Sequence, residues 1–111
     1  MENQTNITPA GFANRIGYSD VDPFEVVREV SSKIIEVRAM SAVLDSNWRP
    51  EIHVGGFAGH CSNQGSQKWI ITSQPDAAVI RLHLRKDGRW YNQGSKFRRE
   101  EKPRKFHDYN F

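Results

Sequence analysis

The clearest alternation of hydrophobic and polar positions in the chain is VIRLHLRKDGRWY, residues 79–91. Ile80, Leu82 and Leu84 alternate with Val79, Arg81, His83 and Arg85, a period of two that sets apolar groups on one face of a strand and polar groups on the other. Asp87-Gly88 supplies a tight hairpin turn before Trp90. Upstream, KWIITS reads as a short strand closed by Gln74-Pro75-Asp76, which is turn chemistry. Downstream, Asn92-Gln93-Gly94-Ser95 leads into KFRRE. The terminal PRKFHDYNF is either a strand or a docked tail.

The stretch DVDPFEVVREVSSKIIEVRAM carries two conflicting signals. Asp22, Pro23 and Glu25 imitate a helix start, and Val26, Val30, Ile34 and Val37 recur at helical spacing. Yet Val26, Val27, Val30, Ile34, Ile35 and Val37 are all β-branched, and Ser31-Ser32-Lys33 interrupts the run near its middle. A hairpin is the preferred reading, with Phe24, Val26 and Val30 sharing one face of its first strand and Ile35, Val37 and Ala39 one face of its second. Together these segments predict an all-β fold: a small single-domain barrel or curled antiparallel sheet of five to seven short strands, with little or no helix. Residues 1–17, polar and without a period, are expected to be a flexible or loosely docked arm, leaving 18–111 as the β-rich domain.

Composition narrows this further. The 111 residues suffice for one modest core, and a hydrophobic content of 37% requires aromatic side chains to do much of the burying. The single Cys61 excludes an intramolecular disulfide and suits a reduced, cytoplasmic setting. No apolar run approaches the roughly 18 residues that span a bilayer, and MENQTNITPAGF lacks the basic and apolar regions of a signal peptide. The expected protein is therefore intracellular, with no membrane contact.

Charge is unevenly placed. Residues 1–80 hold six Lys/Arg against nine Asp/Glu, whereas residues 81–111 hold ten against four. That asymmetry points to a surface that attracts anions, of which nucleic acid is the commonest large example. Arg81, Arg85, Arg89, Trp90, Tyr91, Lys96, Arg98 and Arg99 mix cations with rings, the combination that tracks phosphates and stacks on bases in small single-strand-binding barrels. The competing reading makes Trp69, Trp90, Phe97, Phe106, Tyr109 and Phe111 core residues and the cations a solvated, edge-protecting surface.

Catalytic chemistry finds no such support. GGFAGHCSNQGSQKW, residues 55–69, is rich in glycine but lacks the G-K-[ST] of a phosphate loop, and its residues 55–67 read as a long, partly mobile loop between two strands. A nucleophilic Cys61 would need a base in reach and a group to orient it; adjacent His60 points to the opposite face of an extended chain, and His53 or His83 could reach it only through the fold. The candidate zinc ligands His53, His60, Cys61, His83 and His107 contain no C-x-x-C and no H-x3-H pair. No cofactor, metal or catalytic residue is expected.

The segments GYSDVDPFEVVREVSSKIIEVRAM, GGFAGHCSNQ, KWIITS, IRLHLRKDGRW and PRKFHDYNF, covering about residues 17–111, resemble a group of small bacterial and bacteriophage proteins. The resemblance brings no activity, cofactor or catalytic residue. It implies a mobile-element context, in which nucleic-acid handling and interference with host defence are common roles. The hairpin opening with PFEVV is also similar to the start of small SH3-like barrels, an analogy that carries no function.

Two principal functions follow as expectations. The first is a non-enzymatic β-domain whose basic C-terminal hairpin binds RNA or DNA. The second is an anti-defence inhibitor that docks on a host protein or nucleoprotein, such as a defence nuclease, through Trp48, Phe57, His60, Asn63 and Gln64. Capture of a small nucleotide by the glycine-rich segment is a third.

Overall fold

A computed structural model describes residues 11–55 and 58–110. Among them lie eleven strands, one 3-10 turn at Gln64–Ser66 and no α-helix. We number the strands β1 (Phe12–Ile16), β2 (Val21–Asp22), β3 (Phe24–Ser31), β4 (Ile34–Ala39), β5 (Ser41–Leu44), β6 (Ile52–Gly55), β7 (Ala58–Cys61), β8 (Trp69–Thr72), β9 (Val79–Leu84), β10 (Trp90–Asn92) and β11 (Ser95–Glu100). Six of them form a closed antiparallel barrel in the order β11-β10-β9-β4-β3-β1, with β1 pairing back onto β11 and β2 added along β1. The all-β barrel expected from sequence is what forms, and its architecture is consistent with a small SH3-like barrel.

The alternation in β9 sets the interior. Leu82 pairs with Ile35, Ile80 with Val37 and Leu84 with Trp90, and Trp90 in turn pairs with Phe97. These inward positions converge with Ala13 and Phe24 into one buried cluster. Phe24 meets Phe97 edge to face at 5.1 Å, a geometry that adds to the burial of both rings. The β3–β4 hairpin forms in place of the competing helix, but β3 carries irregularities after Val26 and after Glu29. Each inserts a residue and reverses the inward–outward parity, so Val30 is 38% exposed and does not share the inner face with Phe24 and Val26.

The expected 1–17 arm is corrected by β1. Lys96–Glu100 pairs with Phe12–Ile16 residue for residue, making this segment the strand that closes the barrel; residues 1–10 lie outside the described residues. FANRI hides as a strand because Asn14 is polar yet 0% exposed, covered by chain from the other terminus. Its amide donates to Glu100 Oε1 (2.6 Å) and the Lys102 carbonyl (3.0 Å) and accepts from the Arg104 N–H (2.9 Å).

Between β4 and β9 the chain leaves the barrel and forms an arm of two ribbons, distinct from the expected N-terminal arm. Strands β5 and β8 pair as one ribbon and β6 with β7 as a second, so Ala58–Cys61 is a strand and Gln64–Ser66 a 3-10 turn within the long loop expected over 55–67, of which residues 56 and 57 lie outside the described residues. The molecule measures 59 × 30 × 24 Å with a radius of gyration of 16.6 Å, above the about 13 Å of a compact chain of this length.

Of the PRKFHDYNF segment, residues 103–110 are a docked tail, with one β-bridge among the described residues, Val21 to Phe106. The Gln67 amide brackets the His107 backbone, accepting from its N–H (2.8 Å) and donating to its carbonyl (2.9 Å). Asn110 brackets Cys61 in the same way at 2.7 and 2.9 Å. Tyr109 packs on Trp48 with ring centroids 5.6 Å apart. Lys105 reaches Asp22 at 2.7 Å, where Arg15 also lies at 2.9 Å.

Phe97→Ala is expected to destabilise the protein by about 3–5 kcal/mol, read from urea unfolding, because it removes a fully buried ring from the cluster that the barrel walls share. Burial pushes the Asp22 carboxyl up, but hydrogen bonds from Lys105 and Arg15 outweigh it and hold the group below its ordinary 3.8. Its stabilisation is therefore complete above that value and fades as pH falls through the lower folded one. In a melting-temperature series across the acid range, Asp22→Asn is expected to lower Tm at neutral pH and to flatten its fall below about pH 4. Parallel acid limbs in the two proteins would contradict the assignment.

Candidate nucleic-acid interface

The β9–β10 hairpin presents its polar face to solvent as the alternation requires: Arg81 and His83 are exposed and Leu82 is fully buried. Its turn is held by hydrogen bonds from Arg85 N–H to the Arg89 carbonyl (3.0 Å) and from Gly88 N–H to the Arg85 carbonyl (2.9 Å). Gly88 sits at φ +81°, a left-handed conformation that explains the glycine. Asp87 accepts the Arg89 N–H at 2.9 Å with one oxygen and the Tyr91 hydroxyl with the other. The Arg85 guanidinium lies 4.4 Å over the Tyr91 ring. Ring, guanidinium and carboxylate are thus held as a unit.

Around that unit opens a cleft of about 560 Å³ bounded by Lys33, Leu84, Arg85, Lys86, Asp87 and Tyr91. Lys33 arrives from the β3–β4 turn, fixed by a hydrogen bond from Leu84 N–H to its carbonyl at 2.9 Å. Lys33 and Lys86 are not among the contact residues expected from sequence. Lys86 stands within RKDGR beside Arg85, whereas Lys33 lies 52 positions from Arg85 and the β4–β9 pairing brings them together.

Tyr91 is the cross-strand partner of both His83 and Lys96, and Lys96 pairs with Ile16. A second cleft of about 390 Å³ begins there, lined by Arg15, Ile16, Gly17, Tyr18, Gly94, Ser95 and Lys96. Arg98 projects outward next to this row, and Arg89 is exposed at the hairpin turn. Arg81 is partly engaged: Glu36 binds it at 2.9 Å and Arg28 at 3.0 Å. Those two hydrogen bonds hold the Glu36 carboxyl below the usual range, and two guanidiniums on one carboxylate leave a positive excess.

Two of the expected contact residues belong elsewhere. Trp90 is 7% exposed within the core, so its indole is not open to a base. Arg99 follows the inward parity of Phe97, pairs with Glu29 at 3.3 Å and lies 5.8 Å from the Trp90 ring centroid. It covers the core instead of joining the outer row.

The protein-docking set is corrected more broadly. Trp48 is buried and its indole N–H donates to Ser66 Oγ at 3.2 Å. Asn63 accepts the Glu51 N–H (2.8 Å) and the Cys61 thiol (3.3 Å) and donates to the Arg49 carbonyl (2.8 Å). Gln64 accepts the Tyr109 N–H at 2.8 Å. Trp48, through the Tyr109 ring, and Gln64 join the arm to the tail, whereas Asn63 bonds within the arm. His60 is exposed opposite His53, and Phe57 lies outside the described residues.

The arm also gathers groups with catalytic potential. His53 Nε2 stands 2.9 Å from Ser62 Oγ, which is 3.2 Å from Glu51 Oε1. The carboxylate contacts the hydroxyl and not the imidazole, the reverse of the order that activates a serine. Cys61 is buried, its thiol donating to Asn63. Among the described residues no three of His, Cys, Asp and Glu gather as a metal site, and no helix is long and apolar enough to cross a membrane.

Because Asn110 closes both backbone groups of Cys61, Asn110→Ala is expected to release the tail end and speed labelling of this 2% exposed thiol by a maleimide reagent. An unchanged labelling rate would show that the Asn110 amide does not hold the tail. No protein-family model, curated protein or solved structure matches the chain.

Proposed function

We propose that the protein is a recognition module without bond chemistry, and that its barrel binds nucleic acid through the outer face of β9, β10 and β11. One observation carries this reading: Lys33, Arg85 and Lys86 converge on a single open cleft beside Tyr91, and its one acidic wall residue, Asp87, is already bonded to Tyr91 and to the Arg89 backbone. Arg89, Lys96 and Arg98 extend the positive surface, and Arg81 adds a share of its charge. The elements are those of phosphate neutralisation, whose strength depends on the release of counterions. The single Cys61 suits a cytoplasmic setting for such a module, and a mobile-element context is part of the same proposal.

Fluorescence anisotropy with labelled oligonucleotides across a salt series tests the proposal. Affinity is expected to fall steeply as salt rises, and Arg85→Ala or Arg89→Ala to weaken binding and lower the logarithmic salt slope by about 1 each. Binding indifferent to salt, or none at low salt, would refute it.

A second reading rests on the arm. Val43 and Ile70 are cross-strand partners on one face of the β5–β8 ribbon, 60% and 53% exposed, and Val54 farther along is 93% exposed. Apolar groups set out in this way favour a protein contact. Copurification from a native host separates the two: a partner lost on nuclease treatment supports the barrel face, and a protein partner that survives it supports the arm.

A further inference from the structure

The two clefts on the barrel form one track. The first ends at Tyr91; Tyr91 pairs with Lys96; Lys96 lines the second, which also contains Tyr18. The track crosses β9, β10, β11 and β1, three interstrand steps of about 4.8 Å, or about 14 Å in all. Cations stand along it, with Lys33, Arg85 and Lys86 in the first cleft and Lys96 at the second, and an aromatic ring stands in each cleft. The Tyr18 ring is 94% exposed. Arg85, itself exposed, sets a planar guanidinium over the other.

Planar groups add affinity only where a ligand offers an unpaired base face. A duplex shows its phosphates and groove edges, with its base faces already stacked on one another. Phosphate recognition alone would need the lysines and arginines but no ring in either cleft. We infer that the ligand of this face is single-stranded nucleic acid, about two to four nucleotides of which lie across the four strands, one base stacking on the Arg85–Tyr91 pair and another on Tyr18. The inference rests on the nucleic-acid reading above and adds the strandedness, the path and the stacking groups.

Arg85→Lys keeps the positive charge but removes the plane, and Tyr18→Ala alters an exposed ring whose loss leaves the core intact. Both are compared with the wild type by anisotropy at low salt, using fluorescein-labelled oligothymidylates of increasing length and a mixed-sequence duplex. The wild type is expected to prefer the single strand by about 10-fold or more, with affinity rising steeply up to about four nucleotides and slowly beyond. Tyr18→Ala and Arg85→Lys are expected to weaken single-strand binding by about 5-fold to 100-fold each while leaving duplex binding unchanged. Duplex bound as tightly as single strand, with neither variant altering affinity, would overturn the inference and leave a phosphate-binding surface. No salt-dependent binding of either probe would overturn the nucleic-acid reading, and this inference with it.

Discussion

The pairing of β1 with β11 is the constraint on which the rest of the structure depends. Five consecutive registers join Phe12–Ile16 to Lys96–Glu100, turning an open sheet with two exposed edges into a barrel with neither. The segments joined lie near opposite ends of the chain, so closure costs more loop entropy than any local hairpin, and the shared interior must offset it. Phe97 on β11 and Ala13 on β1 enter that interior together.

Closure also assigns the charges. Along β11 the side chains alternate, so Phe97 and Arg99 follow the inner face while Arg98 follows the outer one. Arg99 is drawn to Glu29 and Trp90, and Arg98 remains at the surface. The same geometry lays His83, Tyr91 and Lys96 in one row across adjacent strands. A run of basic residues in sequence thereby becomes two populations, one that finishes the core and one that faces solvent. The proposed function concerns only the second.

The arm and the tail are joined by a different means. Neither two-stranded ribbon has enough partners to be stable alone. What joins them is a set of side-chain amides, Gln64, Gln67 and Asn110, that bond backbone N–H and C=O groups where a neighbouring strand would otherwise do so. Gln64 and Gln67, read from sequence as part of a mobile loop, and Asn110 of the tail are the seam between two parts of the molecule. An amide has a donor and an acceptor side by side, which lets one side chain satisfy both backbone groups of a single residue.

The sequence by itself determined the β class, the β9–β10 hairpin and its turn at Gly88, the β3–β4 hairpin with its inward Ile35 and Val37, and the basic character of the last third. These are local matters: side-chain alternation, β-branching and turn chemistry act within about ten residues and leave a mark in the string. Tertiary structure alone decided that FANRI closes the barrel, that bulges expel Val30, that Trp90 and Arg99 serve the core, and that Lys33 stands beside Arg85. Each of these depends on which distant strand lies alongside. Such pairings are selected by the total burial and hydrogen bonding of the closed fold, to which no short window of sequence has access.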